Sequence, residues 1–299
     1  SLALSVGSSD NGYVAYYAGQ VLQGDNFETL GDFLFSDGTL VAYLGNDTTI
    51  ELPKHYNNGN YDIGPRVFYN YTNLTSITIP EKVTSIGDYA FYGCNKLNSV
   101  IIPEGVTNIG EYAFYNCKGL NSFVIPESVS SIGNYAFRYC TGELTVNCSI
   151  PDASSSFYGM FYDSDFSKIT IGDNVTSIGH YAFYDCSNLT SITLPQGLVS
   201  IGNYAFDNCN KLSSIEIPQT VSDIGAFAFY KCSSLTSIAI PEGITILKEH
   251  TFQFCTLLEY IGLPESLKEI ASAAISHCGA LTDITIPNGL VSIGNYAFD

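Results

Sequence analysis

The chain repeats one 23-residue pattern from about residue 50 to its last residue. Beginning at Ile77-Thr78-Ile79-Pro80, the same kinds of residue return after each further 23 positions. The position of Pro80 holds proline in eight of ten repeats, and the position of Phe91 is apolar in all eleven. A period of this length is the sequence signature of a solenoid, in which each repeat packs only against its neighbours. We therefore predict eleven stacked rungs rather than one or two globular domains.

Each rung is predicted to contain two short strands and one turn of helix. The segment from Ser76 to Ile79 alternates polar and apolar residues, as a strand with one buried face does. Pro80 then ends the strand because it has no N–H for the ladder. The segment Val83 to Ile86 predicts a second strand, and Tyr89 to Cys94 is long enough for only a helical or 3-10 turn.

The repeat also defines the predicted domains. The period is lost upstream, so we predict residues 1–45 as an N-terminal cap and residues 46–299 as the solenoid. Because the last rung stops at Asp299 without the polar terminal repeat that normally covers a solenoid end, we expect the natural chain to continue.

Within the cap, a β-hairpin and a short helix are predicted. Two short apolar runs flank Asp37-Gly38, a dipeptide that suits the positive φ angles of a hairpin turn. Val14, Tyr17 and Val21 recur at helical spacing upstream of these strands. The expected order is therefore a short helix followed by the hairpin.

The charge balance excludes two classes of partner. Eleven Lys and Arg residues stand against 29 Asp and Glu residues, a formal net charge of −18. Nucleic acids and anionic membranes are bound through clustered cations, so neither is expected as a partner. The chain also lacks an uninterrupted apolar stretch of about 18 residues, so we predict no membrane insertion in this segment.

Eight of the nine cysteines occupy one position of the repeat. Parallel side chains on neighbouring rungs lie about 4.8 Å apart, which exceeds the β-carbon separation of about 3.8 Å that a disulfide prefers. We therefore favour buried free thiols over disulfides. A linear column without interleaved histidines cannot converge on zinc, so no metal site and no cofactor are predicted. The column consists of Cys94, Cys117, Cys140, Cys186, Cys209, Cys232, Cys255 and Cys278, with Asp163 in the remaining rung.

Two other columns leave alternatives open. The residue after the proline is acidic in six rungs, as at Glu81 and Glu104, and either forms a solvated acidic edge or, less favoured, holds calcium. A tyrosine column that includes Tyr89, Tyr112 and Tyr158 either covers the edge of the solenoid, the interpretation we favour, or receives sugars or a protein partner.

The rung from Glu143 to Asp165 departs from the pattern. It keeps the length of 23 residues but places Asp152, Ser155 and Asp163 where Val, Ile and Cys are expected. Either the rung is a functional irregularity, or neighbouring apolar residues shift to fill the core, which we favour. The residues available for this shift are Ile150, Pro151, Phe157 and Phe161.

The repeat resembles the BspA-like leucine-rich repeats. The segment from Cys94 through Leu97, Val100, Ile102 and Pro103 carries the resemblance, and the pattern covers roughly residues 50–299. It implies a right-handed leucine-rich repeat solenoid, mainly β with short helical turns, and one strand-lined concave sheet. Because members of that family are typically surface or secreted proteins of bacteria and some protozoa, it also implies a secreted or cell-surface protein of bacterial type. Some members are adhesins. The family has no shared catalytic motif.

The outward positions of the first strands are the predicted ligand-binding face. They vary between rungs although stacking does not require it, and the concave face is the usual binding surface of a solenoid. The candidate residues are Thr78, Ile101, Val124, Asn147, Lys168, Thr170, Thr193, Glu216, Tyr260, Asp283 and Thr285.

We expect a non-catalytic adhesion scaffold that binds an extracellular protein or glycan. The alternative is a structural spacer that presents another domain of a longer surface protein. An enzyme is not expected, because no nucleophile–base pair, metal cluster or phosphate-binding loop is apparent.

Overall fold

The fold is known from a computed structural model that describes residues 5–9, 12–17, 20–23, 26–152 and 159–299, with side chains from residue 26 onward. The described residues form a β-solenoid of about eleven turns of roughly 23 residues. This confirms the predicted repeat architecture.

The described residues contain 25 strands. The first thirteen are β1 (Ser5–Ser9), β2 (Gly12–Tyr17), β3 (Gln20–Gln23), β4 (Phe27–Leu30), β5 (Phe33–Ser36), β6 (Thr39–Tyr43), β7 (Thr49–Glu51), β8 (Tyr61–Ile63), β9 (Ser76–Thr78), β10 (Val83–Ile86), β11 (Ser99–Ile101), β12 (Asn108–Ile109) and β13 (Ser122–Ile125). The others are β14 (Ser131–Ile132), β15 (Thr141–Val146), β16 (Asp165–Ile171), β17 (Ser177–Ile178), β18 (Ser191–Thr193), β19 (Ser200–Ile201), β20 (Asp223–Ile224), β21 (Ser237–Ala239), β22 (Ile246–Leu247), β23 (Tyr260–Gly262), β24 (Glu269–Ile270) and β25 (Ser292–Ile293).

The chain divides into two compact units. The first unit comprises residues 1–120 and 128–136, and the second comprises residues 121–127 and 137–299. In the first unit, the second strands of the rungs and the N-terminal strands form one sheet in the order β14-β12-β10-β8-β6-β5-β4, while β11, β9 and β7 form another. In the second unit the sheets are β13-β15-β16-β18, β17-β19-β20, β21-β23 and β22-β24-β25. Strands of neighbouring rungs pair in parallel.

The predicted N-terminal hairpin is present and the predicted helix is wrong. β5 and β6 pair antiparallel, and their turn residues Asp37 and Gly38 have φ angles of 47° and 79°. Gly12–Tyr17 and Gln20–Gln23 are strands of an antiparallel sheet with β1 instead of a helix. The segment Gly12–Tyr17 is rich in Tyr and Val, which favour strands, and pairing with neighbouring strands overrides the three residues at helical spacing.

In each unit the core contains a ladder of phenylalanine rings, and in the second unit Ile275 replaces the ring in one rung. In the first unit Phe91 stacks on Phe68 and Phe114, with ring centroids 5.2 and 5.1 Å apart. In the second unit Phe206 stacks on Phe183 and Phe229 at 5.5 and 5.4 Å. All six rings are fully buried, which confirms that this column is core.

The predicted helical turn is replaced by a run of turns. Alternate backbone N–H groups of the segment donate to the next rung: those of Tyr89, Phe91 and Gly93 donate to the carbonyls of Glu111, Ala113 and Tyr115 at 2.7–2.8 Å. Tyr89 has a φ angle of 57°, and Gly93 one of 72°. Two of the six residues from Tyr89 to Cys94 are therefore left-handed, and such residues cannot continue a right-handed helix. The predicted helical turn is wrong for the described rungs.

The irregular rung fills its core by a local shift. Phe161 takes the ring position, with centroids 5.6 and 5.2 Å from Phe137 and Phe183, and Ile150 pairs with Ile178. Both residues are buried. Pro151 is exposed and does not contribute to the core of this rung. Phe157 lies outside the described residues.

One consequence of the shift corrects the cysteine column. The residue in this rung that occupies the cysteine position is Ser164, not Asp163: Ser164 is buried, and its Oγ lies 3.3 Å from the Sγ of Cys186. Asp163 instead adopts a φ angle of 51° and accepts a hydrogen bond from Arg138 at 2.8 Å.

Candidate functional site

The outward side chains of the first strands form what we call the strand face. In the second unit it has two columns, whose registers are set by the parallel pairing of successive strands. One column consists of Ser122, Glu143, Lys168, Ser191, Ser214, Ser237 and Tyr260. The other consists of Val124, Thr145, Thr170, Thr193, Glu216, Ala239 and Gly262. In the first unit the equivalent residues are Thr49, Ser76 and Ser99 with Glu51, Thr78 and Ile101.

One predicted face residue is wrong. Asn147 is not on the strand face, because its backbone N–H bonds to Ile125 O beyond the end of the strand. Thr145 takes the outward position between Val124 and Thr170. Fewer residues separate Cys140 from the face position in this rung than in the preceding rung. Adding 23 to the number of Val124 therefore gives Asn147 rather than the aligned residue Thr145. The alternation in Leu144-Thr145-Val146 was the available signal.

The other predicted face residues are placed as follows. Thr78 and Ile101 lie on β9 and β11 of the first unit, and Ile101 is 75% exposed. Val124, Lys168, Thr170, Thr193 and Tyr260 lie on strands of the second unit, and Val124 is 49% exposed. Glu216, Asp283 and Thr285 occupy equivalent positions outside any assigned strand, and all three are exposed.

Tyr260 is an exposed aromatic side chain on the strand face of the second unit. It occupies a column that is otherwise mainly serine and is 59% exposed. Its ring lies along its own strand against Gly262: a β-carbon at residue 262 would approach the phenolic oxygen to 3.0 Å. The missing side chain of Gly262 therefore makes room for the phenol.

A shallow depression lies on each side of Tyr260. The first, about 350 Å³, is lined by Tyr260 together with Glu216, Gln219 and Ala239. The second, about 400 Å³, is lined by Tyr260 together with Glu259, Asp283 and Thr285. The nearby face positions 237, 239 and 262 hold small residues, which leave the ring exposed. The arrangement is an exposed aromatic ring flanked by carboxylates.

The tyrosine columns have a different geometry. Tyr89 and Tyr112 stack with centroids 4.8 Å apart and planes 10° apart, and Tyr181 and Tyr204 stack at 4.7 Å and 5°. A ring stacked in this way has its faces covered by the rungs above and below and presents only its edge. Since a sugar ring or a cation packs on an aromatic face, this geometry favours the structural interpretation. Tyr158 lies outside the described residues.

The cysteines are buried free thiols, as the spacing argument predicts. Thiols of the column donate hydrogen bonds to phenylalanine carbonyls of the preceding rung. Cys94 Sγ, for example, lies 3.2 Å from Phe68 O, and Cys209 Sγ lies 3.3 Å from Phe183 O. Burial raises the pKa of Cys94 to about 12. A thiol with such a pKa is not a nucleophile at neutral pH, which favours a structural role for Cys94.

One buried carboxylic acid was missed by the sequence pattern. Asp207 is only 6% exposed and occupies the position that Tyr184 and Tyr230 hold in neighbouring rungs. Burial raises the pKa of Asp207 to about 7, against a lowering by Lys231, and Asp185 raises it further. The signal was an acid in a mainly aromatic column.

The described part of the chain carries neither a metal-binding cluster nor a membrane-spanning helix. It contains no group of three or more His, Cys, Asp or Glu side chains placed to hold a metal ion. Among the described residues there is likewise no helix with the length and apolarity needed to cross a bilayer.

Several solved structures resemble the chain. A leucine-rich repeat protein from Bacteroides ovatus is 22% identical, with a TM-score of 0.58 over 98% of this chain and 89% of that one. A leucine-rich cell-surface protein from Faecalibacterium prausnitzii is 28% identical, with a TM-score of 0.41 over 92% and 95% of the two chains. The pneumococcal vaccine antigen PcpA is 19% identical, with a TM-score of 0.38 over 96% and 92%. The first of these supports the fold.

Sequence comparison identifies the family. No curated protein matches the chain. The family model described as the BspA-type leucine-rich repeat region matches residues 61–190 and 176–299, with six copies of the repeat. These matches cover most of the chain and coincide with the rungs described above. The chain therefore belongs to the BspA-type leucine-rich repeat family.

Proposed function

We propose that the chain is a non-catalytic recognition scaffold of a secreted or cell-surface protein. It binds an extracellular protein or glycan through the strand face of its second unit. Family membership supports this proposal. The absence of a shared catalytic motif in the repeat is consistent with it.

A single observation carries the proposal: the exposed ring of Tyr260 between two depressions on a face that stacking leaves free to vary. Aromatic residues are enriched in protein interfaces because a rigid ring contributes a large contact area at a small entropic cost. In the Tyr260 column most other rungs carry serine. A large ring at this position adds nothing to the core, and binding gives it a role.

The test is a binding screen with a variant of the strand face. The purified chain is screened against arrayed extracellular-matrix proteins and glycans, and each hit is repeated with the double variant Thr193→Arg/Glu216→Arg. We expect saturable binding that the double variant loses. The matched control is Thr176→Arg/Glu249→Arg, which alters the same residue types at exposed positions of the same unit outside the strand face. Equal loss in both variants, or no hit at all, contradicts the proposal; the second outcome favours the spacer.

A further inference from the structure

The strand face around Tyr260 has a charge pattern that favours one kind of partner, and the argument rests on the proposed function. Glu216 lines one depression, and Glu259 and Asp283 line the other. All three carboxylates are exposed, and within the described residues none of them takes part in an ion pair. Where the strand face does carry a cation, at Lys168, that cation already lies 3.6 Å from Glu143.

The ring of Tyr260 complements these carboxylates. No aromatic or cationic side chain of the described residues stacks on it, so unlike the ring of Tyr204 it keeps a face open. An open tyrosine face attracts a cation, and lysine and arginine are the cations of proteins. Carboxylates line the depressions on both sides of the ring.

Two features distinguish a basic ligand from a neutral one. A neutral ligand that covered the depressions would remove water from three carboxylates without compensating their charge, which costs free energy. A lysine side chain replaces that water with a counter-charge and lays its apolar stem on the ring. The formal net charge of −18 adds a long-range attraction for a basic partner.

We infer that the Tyr260 platform, defined as Tyr260 with Glu216, Glu259 and Asp283, binds lysine or arginine side chains of a basic polypeptide segment. The ring supplies a cation–π contact and the three carboxylates supply counter-charges on both of its sides. The strand face would thereby select partners by a basic segment rather than by an apolar one.

The test uses the full chain and a labelled nonapeptide with lysine at alternate positions between serine and glycine, followed by fluorescence anisotropy. The control peptide carries norleucine in place of each lysine. We expect only the lysine peptide to bind. Its binding should be weaker at about 0.15 M salt, where charges are screened over about 8 Å, than at low salt.

Protein variants locate the site. Glu216→Gln/Glu259→Gln/Asp283→Asn should weaken binding by about tenfold, as expected from the loss of several exposed ion pairs. The control Asp173→Asn/Glu249→Gln/Glu269→Gln makes the same change in net charge outside the strand face and should bind nearly as the parent does.

The ring is tested separately. Tyr260→Leu should weaken binding by about two- to fivefold, the range of an exposed cation–π contact, whereas Tyr260→Phe should not. Unchanged melting temperatures show that each variant is folded.

The outcomes separate this inference from the proposed function. Equal weakening in both triple variants, or full binding by Tyr260→Leu, overturns the basic-ligand inference, because general acidity would then explain the attraction. A ligand from the array screen can also overturn it. If such a ligand no longer binds Thr193→Arg/Glu216→Arg but binds Glu216→Gln/Glu259→Gln/Asp283→Asn as strongly as the parent, the basic-ligand inference is wrong while the recognition function stands.

Discussion

At the scale of single residues, the cysteine column shows how a side chain stabilises the stack without covalent chemistry. The Cys209 thiol is fully buried and donates to Phe183 O in the preceding rung. Cys209→Ala removes one of the two donors to that carbonyl, which also accepts from the backbone N–H of Cys186, and opens a small void. We therefore expect a loss of about 1 to 2 kcal/mol in the free energy of unfolding. Cys209→Ser keeps a donor, as Ser164 does naturally, and should lose less. Urea denaturation measures both, and an equal loss would contradict the role assigned to the hydrogen bond.

Asp207 predicts a pH dependence of stability. Burial holds its folded-state pKa at about 7, above the unfolded value of about 3.9. Between these values the folded state keeps a proton that the unfolded state has released, so this group lowers stability as pH rises through the window. Asp207→Asn should therefore raise the melting temperature at pH 8 and have little effect near pH 3.5. Thermal unfolding across this range is the measurement; an equal shift at both ends would point to packing instead of charge.

At the scale of the element, each interior phenylalanine of the ladder packs against the rings of the neighbouring rungs. Phe206 contacts Phe183 and Phe229 on its two sides, so truncation removes contacts in three rungs. We expect Phe206→Ala to lose about 3 to 5 kcal/mol. Hydrogen exchange should show faster exchange in the two adjoining rungs as well as its own, because each rung is stabilised by its neighbours. An unchanged denaturation midpoint would contradict the assignment of this column to the core.

The rung also shows what sequence can and cannot predict. The strands, the phenylalanine core and the buried thiols follow from periodic apolar residues, because burial imposes a fixed residue type at each position. The left-handed tyrosines do not follow: Tyr89 has a φ angle of 57°, and residue type alone predicts a right-handed conformation for tyrosine. Ring stacking and hydrogen bonds between rungs impose this angle. Counting in steps of 23 failed at Asn147 because Thr145 follows Val124 by 21 residues and precedes Thr170 by 25, so the deviation cancels only over two rungs.

For the candidate site, the sequence predicted the outward positions of the strands but not the arrangement of side chains around Tyr260. Variation between rungs identified the outward positions, including Tyr260 and Glu216. The pairing of Tyr260 with Gly262 depends on which way the ring turns along its strand, and the depressions depend on side chains from successive rungs. Such features belong to the three-dimensional arrangement and have no periodic signal.

At the scale of the whole molecule, the repeat predicts that one rung of the second unit is dispensable. Deleting residues 196–218 joins Pro195 to Gln219, so every column stays in register and Phe183 stacks on Phe229. We expect a folded chain whose unfolding enthalpy falls by about 0.7 kcal/mol per residue removed near 60 °C. Calorimetry measures this. As a control, deleting residues 196–207 shifts every later column by about half a rung and should abolish cooperative unfolding. If both deletions unfold alike, stacking in register is not what specifies this fold, since nearest-neighbour stability requires matching columns.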